Sequence, residues 1–342
     1  MNQRNIYLDP SYRVFDGDRL FDLADPVLNR DGQLKPFHRL REHMAGTGVA
    51  VHTADFLFKS GEPGQQSGEY YSFGLMDNFE RVLCDGRARL AAFVIMEPPL
   101  VAPELYQALP RLTEVFDRVY LHNLSGDGYA LEGVDRSKLH KLYWPIPDND
   151  VLEQHWGNTA RMKRVVVING SHNPRSRNRE QYSLRIEAMA ELSKMGVVDL
   201  YGAGWERWWS RSALWLPYWR NRSALMKIYQ GKCASKFAVF QNYEFCLCFE
   251  NMCMDGYITE KIFDCLYAGT IPLYLGAPDI LKYIPGEVFV DCRKYSTWTE
   301  MWQDVVAMPA DRIEAMRQAG RNFLRSEPAL KFYDFIDHIC ET

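Results

Sequence analysis

The stretch from Tyr243 to Asp291, YEFCLCFENMCMDGYITEKIFDCLYAGTIPLYLGAPDILKYIPGEVFVD, restricts the possible folds more than any other part of the chain. It alternates strand, loop, helix, strand, helix and strand, and it holds the densest set of polar groups between apolar elements. Phe245, Leu247 and Phe249 alternate as in a short buried strand, which stops at the polar pair Glu250 and Asn251. A polar turn with Gly256 follows. Thr259 is expected to cap a helix with Glu260 and Lys261 in its first turn and Ile262, Phe263, Leu266 and Tyr267 toward the core. Gly269 ends that helix.

In an open α/β sheet, ligands sit beyond the carboxyl ends of the strands, where helix N-termini present unpaired N–H groups and positive dipole. Glu250, Asn251, Tyr257, Glu260 and Lys261 converge on that end. A lysine so close to a helix N-terminus opposes the dipole, and a bound anion is a natural reason for it. The alternative is a solvated first turn beside an ordinary loop. These residues alone do not choose between the two.

With 342 residues the chain has room for two ordinary domains. Net charge is −4, so there is no general basic field for nucleic acid, and an anionic ligand must be held by local cations. Asn5 to Leu8 and Val49 to His52 read as strands around a helix from Pro36 to Met44, which is parallel βαβ construction. Ser60 to Gly68 is a polar loop. Arg89 to Met96 is an apolar strand running into Glu97-Pro98-Pro99, where the prolines fix Glu97 on a rigid turn at a strand's carboxyl end. Glu97 is either a carboxylate facing a ligand or a hydrogen-bonded turn residue. Phe116 to His122 is the next strand, with His122 and Asn123 at its end; a lone histidine is more often a packing residue. Leu142 to His155 loses regular periodicity to prolines and acids and is the expected interdomain linker.

A second start follows. Arg164 to Asn169 is a strand, Gly170 to Arg179 an arginine-bearing loop, Glu180 to Met195 an amphipathic helix, and Val197 to Tyr201 a strand ending in Gly202-Ala203-Gly204. That order makes half of a nucleotide-binding layer. Trp205 to Arg222 holds five of the nine tryptophans. A locally buried cluster is the preferred reading, since the segment has no sustained helical periodicity; an acceptor-stacking wall or a peripheral membrane patch are its alternatives. Thr297-x-x-Glu300 and Asp311-x-x-Glu314 announce two helices, and Phe332 to Ile339 a last one. The eight cysteines fit neither a zinc pair nor a disulfide framework and are expected buried and reduced.

The segment FCLCFENMCMDGYITEKIFDCLYAGTIPLYLGAP resembles the donor-binding signature of the α1,3/4-fucosyltransferases, glycosyltransferase family 10. The shared pattern is a Phe-Glu-Asn strand end, Gly-Tyr-x-Thr-Glu-Lys, a Gly-Thr-x-Pro strand and a Gly-Ala-Pro turn. The resemblance implies a GT-B fold, two Rossmann-like domains facing each other across a cleft. Residues 1–155 would bind acceptor, residues 156–325 would bind the nucleotide sugar, and by fold analogy the helix in 326–342 would pack back on the first domain. It further implies an inverting transfer of L-fucose from GDP-β-L-fucose to a glycan hydroxyl, α1,3 to N-acetylglucosamine or glucose. It places the base on Glu97, the phosphate grip on Arg185 and Lys261, ribose contacts on Glu260, and guanosine or fucose contacts on Glu250, Asn251 and Tyr257. Arg175, Arg177 and Arg179 compete with Arg185.

No acidic cluster has metal-ligand spacing; Asp148-Asn149-Asp150 lies in the linker, so no metal is expected to be required, with stimulation by Mg²⁺ or Mn²⁺ left open. The N-terminus lacks the features of a signal peptide and no run reaches the length of a membrane span. The expected location is the cytoplasm, with a peripheral place on the inner membrane as the alternative. Animal family members carry an N-terminal anchor, so a bacterial type or a trimmed chain is expected. Two rival readings are a GT-B enzyme with another nucleotide sugar and a non-catalytic glycan-binding protein on a transferase fold.

Overall fold

Asn5–Asp9 (β1) and Ala50–Thr53 (β2) pair in parallel, with Leu8 opposite Thr53, and the helix Lys35–Gly46 joins them and buries Leu40 and Met44. Parallel neighbours require such a crossover, because both strands run the same way. Glu69–Ser72 (β3), Arg89–Val94 (β4), Arg118–Leu121 (β5) and Leu139–Lys141 (β6) extend the sheet in the order β2-β1-β3-β4-β5-β6, parallel throughout. β3 and β6 are additions to the expected strands. The computed structural model describes residues 4–60, 68–74, 76–174, 176–209 and 215–341. Most of the expected Ser60 to Gly68 loop and Arg175 lie outside them.

Chain contacts divide the protein into two units, Met1–Asp148 with Lys331–Thr342, and Asn149–Leu330. Where one terminal helix is expected, two form, Glu327–Tyr333 and Phe335–Glu341. The second contributes Phe335, Ile336, Ile339 and Cys340 to the core that holds Ile6, Leu8 and Val94. Arg39 fastens it, donating to Asp337 at 3.1 Å and lying 3.6 Å over the Tyr333 ring. In the linker, Asp148 accepts from Lys35 at 2.6 Å, while Asp150 pairs with Arg325.

The second unit is built on Met162–Ile168 (β7), Val198–Tyr201 (β8), Tyr243–Phe249 (β9), Ile271–Leu275 (β10) and Val290–Asp291 (β11). Their order is β11-β10-β9-β7-β8 and every pair is parallel. The chain steps from β7 outward to β8, then returns to place β9 on the other side of β7. Strand order therefore reverses between β7 and β9, and the carboxyl ends of those two neighbours open the crevice where such sheets take ligands. β9 is central, so Cys246 and Cys248 are as buried as Phe245, Leu247 and Phe249. Cys265, Cys292 and Cys340 are buried too, whereas Cys84 is exposed and Cys233 and Cys253 are half-buried, contrary to expectation; all eight are free thiols.

The tryptophan-rich segment divides. Trp205 and Trp215 are buried against Tyr218, at ring separations of 6.3 and 5.0 Å. Trp208, Trp209 and Trp219 stay exposed, at 73%, 56% and 36%. Contrary to the weak periodicity, Leu216–Ile228 is a helix, started by Pro217 and burying Tyr218, Leu225 and Ile228. Thr297 caps Trp298–Val306 as expected, accepting from the Glu300 amide. The next helix, Ala310–Leu324, has Pro309 at its cap position, so Asp311 lies inside its first turn. Among the described residues no helix is long and apolar enough to cross a membrane.

Candidate functional site

Glu250 follows directly on β9 and is completely buried. Its Oε1 accepts from the Thr259 amide at 2.8 Å, and its Oε2 accepts from the Thr259 hydroxyl at 2.9 Å and from Lys261 Nζ at 3.2 Å. Thr259 is the cap residue of the helix Glu260–Ala268, but its own side chain makes no capping bond. The expected threonine cap is thus replaced by a carboxylate from the neighbouring strand, which takes the hydroxyl for itself. Gly276, in the turn after β10, closes the other side: a Cβ there would lie 2.7 Å from Glu250 Cγ and 2.3 Å from Tyr274 Oη.

Lys261 Nζ also donates to Thr259 Oγ1 at 2.8 Å. Burial alone would lower its proton affinity, but the Glu250 and Glu260 carboxylates outweigh burial and raise it above the ordinary lysine value. Lys261 is therefore a fixed cation at the N-terminus of its helix. Glu260 shows the reverse balance. Burial opposes its ionisation, yet Lys261 and Lys236 hold its pKa below the usual carboxylate value. Its stabilising contribution is present above the unfolded value and is lost as pH falls through the folded one. One of its oxygens, Oε2, is buried without a hydrogen-bond partner among the described residues.

Arg185, on the helix Tyr182–Lys194, is 2% exposed, which excludes an ordinary surface arginine. Its Nη2 donates to the carbonyls of Phe249 at 2.5 Å and Glu250 at 3.2 Å, fixing the guanidinium at the carboxyl end of β9. Nε is buried and has no hydrogen-bond partner among the described residues. Burial lowers its proton affinity, with Tyr182 and then Glu250 acting in the opposite direction.

A second buried arginine shows what a purely structural one looks like. Arg161 donates to the carbonyls of His155, Trp156, Asn158, Phe240, Tyr243 and Ala268 and to the Thr270 hydroxyl. Burial pushes its pKa down to about 10. Arg161 is saturated, whereas Arg185 is not. Among the described residues no carboxylate forms an ion pair with Arg185, and an uncompensated buried charge costs several kcal/mol. A ligand anion would supply the missing partner.

The remaining candidates are distributed as follows. Tyr257 is 1% exposed, within the field of Arg185. The Asn251 carbonyl accepts from the Gln181 amide at 3.0 Å, tying the end of β9 to the Tyr182–Lys194 helix. Arg177 is exposed and Arg179 half-buried. Glu97, in the first unit, is half-buried beyond β4, and its carbonyl accepts from the Tyr106 hydroxyl at 3.1 Å. His122 is buried against Trp144 and bonds to the Met96 carbonyl at 2.7 Å, while Asn123 accepts from the Asp127 amide; both serve local packing.

Sequence reasoning overlooked Ser171, His172 and Arg207. They gather where the loops after β7 and β8 touch, and the signal was the glycine pattern, Gly170 in one loop and Gly202 with Gly204 in the other. A cavity of about 640 Å³ lies elsewhere in the second unit, lined by Phe289, Asp291, Tyr295, Arg312 and Met316 among others, and none of the site residues borders it.

Two parallel sheets, one closed by the returning C-terminal helix and the other carrying a cationic strand-end site, define an α/β protein of the GT-B glycosyltransferase fold. A solved α1,3-fucosyltransferase with GDP superposes with a TM-score of 0.50 at 15% identity, covering 99% of this chain and 89% of that one. An α-glucosyltransferase solved with UDP and DNA superposes at 0.61 and 11% identity, covering 99% and 100%. More specifically, residues 161–317 match the family model for the C-terminal part of glycosyltransferase family 10 (fucosyltransferase). The Helicobacter pylori α-(1,3)-fucosyltransferase FucT is 38% identical over 66 residues, 19% of this chain and 14% of that protein. The Mus musculus GDP-fucose protein O-fucosyltransferase 3 is 30% identical over 155 residues, 45% of this chain and 27% of that protein. The chain thus spans less than a third of the length of these relatives.

Proposed function

We propose that this protein is an inverting fucosyltransferase that moves L-fucose from GDP-β-L-fucose to a hydroxyl of a glycan acceptor, α1,3 to N-acetylglucosamine or glucose. The observation that carries the reading is Arg185, a buried guanidinium short of partners at the crevice between β7 and β9, next to the Lys261 cation. In a single displacement the acceptor O–H gives its proton to a base, the new C1–O bond forms, and the old C1–O bond breaks to leave GDP. Glu97 is the proposed base, supported by its place on a proline-braced turn beyond β4. Arg185 and Lys261 are proposed to stabilise the departing diphosphate, since fixed cations need no reorganisation as charge develops. The buried, unpartnered Glu260 oxygen suits a ribose hydroxyl. Glu250 has its oxygens engaged and would act by holding Lys261 and the helix N-terminus, while Asn251 and Tyr257 would shape the guanosine and fucose pockets. No metal is part of this scheme.

The experiment is a pair of measurements on one preparation. GDP at a hundred times its dissociation constant should stabilise the protein by about 2.7 kcal/mol, with UDP and ADP far less effective at the same concentration. Labelled GDP-fucose should then transfer to N-acetyllactosamine on a glycan array. Protection by UDP in place of GDP would replace the donor assignment, and glycan binding without nucleotide binding would remove the enzyme reading. The array carries peptide acceptors as well, because the longer of the two alignments above is with a protein O-fucosyltransferase.

Peripheral membrane contact is a separate part of the proposal, resting on exposed Trp208, Trp209 and Trp219 beside exposed Arg220. Co-sedimentation with vesicles rich in anionic lipid is expected, and Trp208→Ser/Trp209→Ser should abolish it. Absence of wild-type binding would assign these rings to another role.

A further inference from the structure

The loops after β7 and β8 approach closely and leave one side chain with nothing to bind. The Asn169 amide donates to the Tyr201 carbonyl at 3.0 Å, the Ser171 amide to the Ala203 carbonyl at 2.8 Å, and Trp205 Nε1 to the Asn169 carbonyl at 2.7 Å. Gly202 makes this possible: its φ is +140°, and a Cβ there would stand 2.0 Å from the Asn169 carbonyl oxygen. With the backbone groups paired, the Ser171 side chain is left over. Ser171 is 7% exposed, and its Oγ is buried without a hydrogen-bond partner among the described residues. Buried hydroxyls without partners are rare and costly.

The surroundings of this hydroxyl are cationic. The space beside Gly204 lies within 3.5 Å of Ser171 Cβ and 3.6 Å of Arg207 Nε. His172 follows, its Nε2 2.7 Å from where a Cβ on Gly170 would project and its ring 6.4 Å from that of Tyr182. The charged groups acting on the imidazole are Arg185 on the Tyr182–Lys194 helix, Arg207 on the loop after β8, and Lys261 at the start of the Glu260–Ala268 helix. His172 is itself exposed at its edge of the site; partial desolvation first, and then these three cations, lower its proton affinity. Glu250 and Glu260 are committed to Lys261 instead.

We propose that Ser171, His172 and Arg207 form a further arm of the anion site and bind the donor's diphosphate from the β7–β8 side, His172 taking up a proton from solvent as the diphosphate seats. The inference rests on the nucleotide-sugar reading above and extends it to residues outside the family signature. The three cations disfavour the charged form of the imidazole while the site is empty. A diphosphate cancels their field and so favours the protonated ring, hydrogen-bonded to phosphate. Affinity for the donor accordingly rises as pH falls through the range in which His172 titrates.

Calorimetric titration with GDP-fucose, whose diphosphate diester does not itself titrate near neutrality, tests this in two buffers of different ionisation enthalpy between about pH 5.5 and 8. Wild type should take up a fraction of a proton per GDP-fucose bound, and His172→Asn should abolish the uptake. Arg207→Gln should weaken binding about ten- to hundredfold, as loss of a charged hydrogen-bond donor does. Ser171→Ala should weaken binding severalfold with an unfolding temperature equal to or above that of wild type, since Oγ has no partner among the described residues to lose and its buried hydroxyl is costly. A serine that served the fold would instead lower the unfolding temperature. If wild type binds GDP-fucose without proton uptake and the three variants bind like it, this subsite is wrong while the donor reading stands. If neither GDP-fucose nor inorganic pyrophosphate binds wild type, the donor reading falls, and this inference with it.

Discussion

Lys261→Met is expected to destabilise the protein by roughly 3–5 kcal/mol and to abolish its thermal protection by GDP. Glu250 is wholly inaccessible to solvent, and its carboxylate is held by the Thr259 amide and hydroxyl and by the ammonium. Without the ammonium, a full negative charge remains in a site that water does not reach. The double variant Lys261→Met/Glu250→Gln removes that charge while keeping hydrogen bonds to Thr259, so most of the lost stability should return. GDP protection should not return, because the cation proposed to hold the phosphates is still missing. The two readouts therefore part company, stability following the pair and nucleotide binding following Lys261. Because the folded pKa of Lys261 is raised, its contribution is complete below the unfolded lysine value of about 10.4 and is lost as pH rises through the folded one. Denaturation midpoints should thus differ by a constant amount near neutrality. A Lys261→Met protein as stable as wild type would mean that the pair is solvated, and the buried-site argument would fail.

The parts of the fold that were legible in the sequence are those where burial on both faces leaves an unbroken apolar run. β4, β7 and β9 are central or near-central parallel strands, and their Val, Leu, Phe and Ala runs have no other reading. β3 and β6 escaped because four and three residues, EYYS and LHK, are too few to show a period and carry polar groups. The helix Leu216–Ile228 escaped for a different reason. It buries only Tyr218, Leu225 and Ile228 and exposes an apolar Trp219, so its periodicity is blurred. At the site, Glu250, Thr259 and Lys261 were legible because one strand, one turn and one helix start bring them together within twelve consecutive residues. Their division of labour was not: that Glu250 accepts both the Thr259 amide and the Thr259 hydroxyl, leaving Thr259 without a capping bond, depends on packing across the sheet end. Ser171 and Arg207 come together through two loops separated by a helix and a strand. Only the glycines that permit the close approach are local enough to read.

Glu97→Gln tests the other half of the chemistry. Turnover is expected to fall by about 10² to 10⁴, the range a positioned general base contributes, with GDP protection unchanged. Glutamine keeps the size and hydrogen-bonding shape of the side chain, and the Tyr106 bond goes to the Glu97 backbone carbonyl, which the substitution leaves intact. A turn between β4 and Pro98-Pro99 should therefore hold its form. If Glu97 serves only that turn, the variant will show the opposite pattern, a lower unfolding temperature with near-normal turnover per folded molecule. The pH profile gives an independent check. A base must be ionised in the free enzyme, so wild-type kcat/KM should fall on the acid side as Glu97 protonates, and the variant's residual activity should lack that limb. Both Glu97 and Arg185 leave the diphosphate as the leaving group, but Arg185→Ala should weaken GDP binding and turnover together, whereas Glu97→Gln should affect turnover alone. That contrast separates proton removal from leaving-group stabilisation in a single displacement.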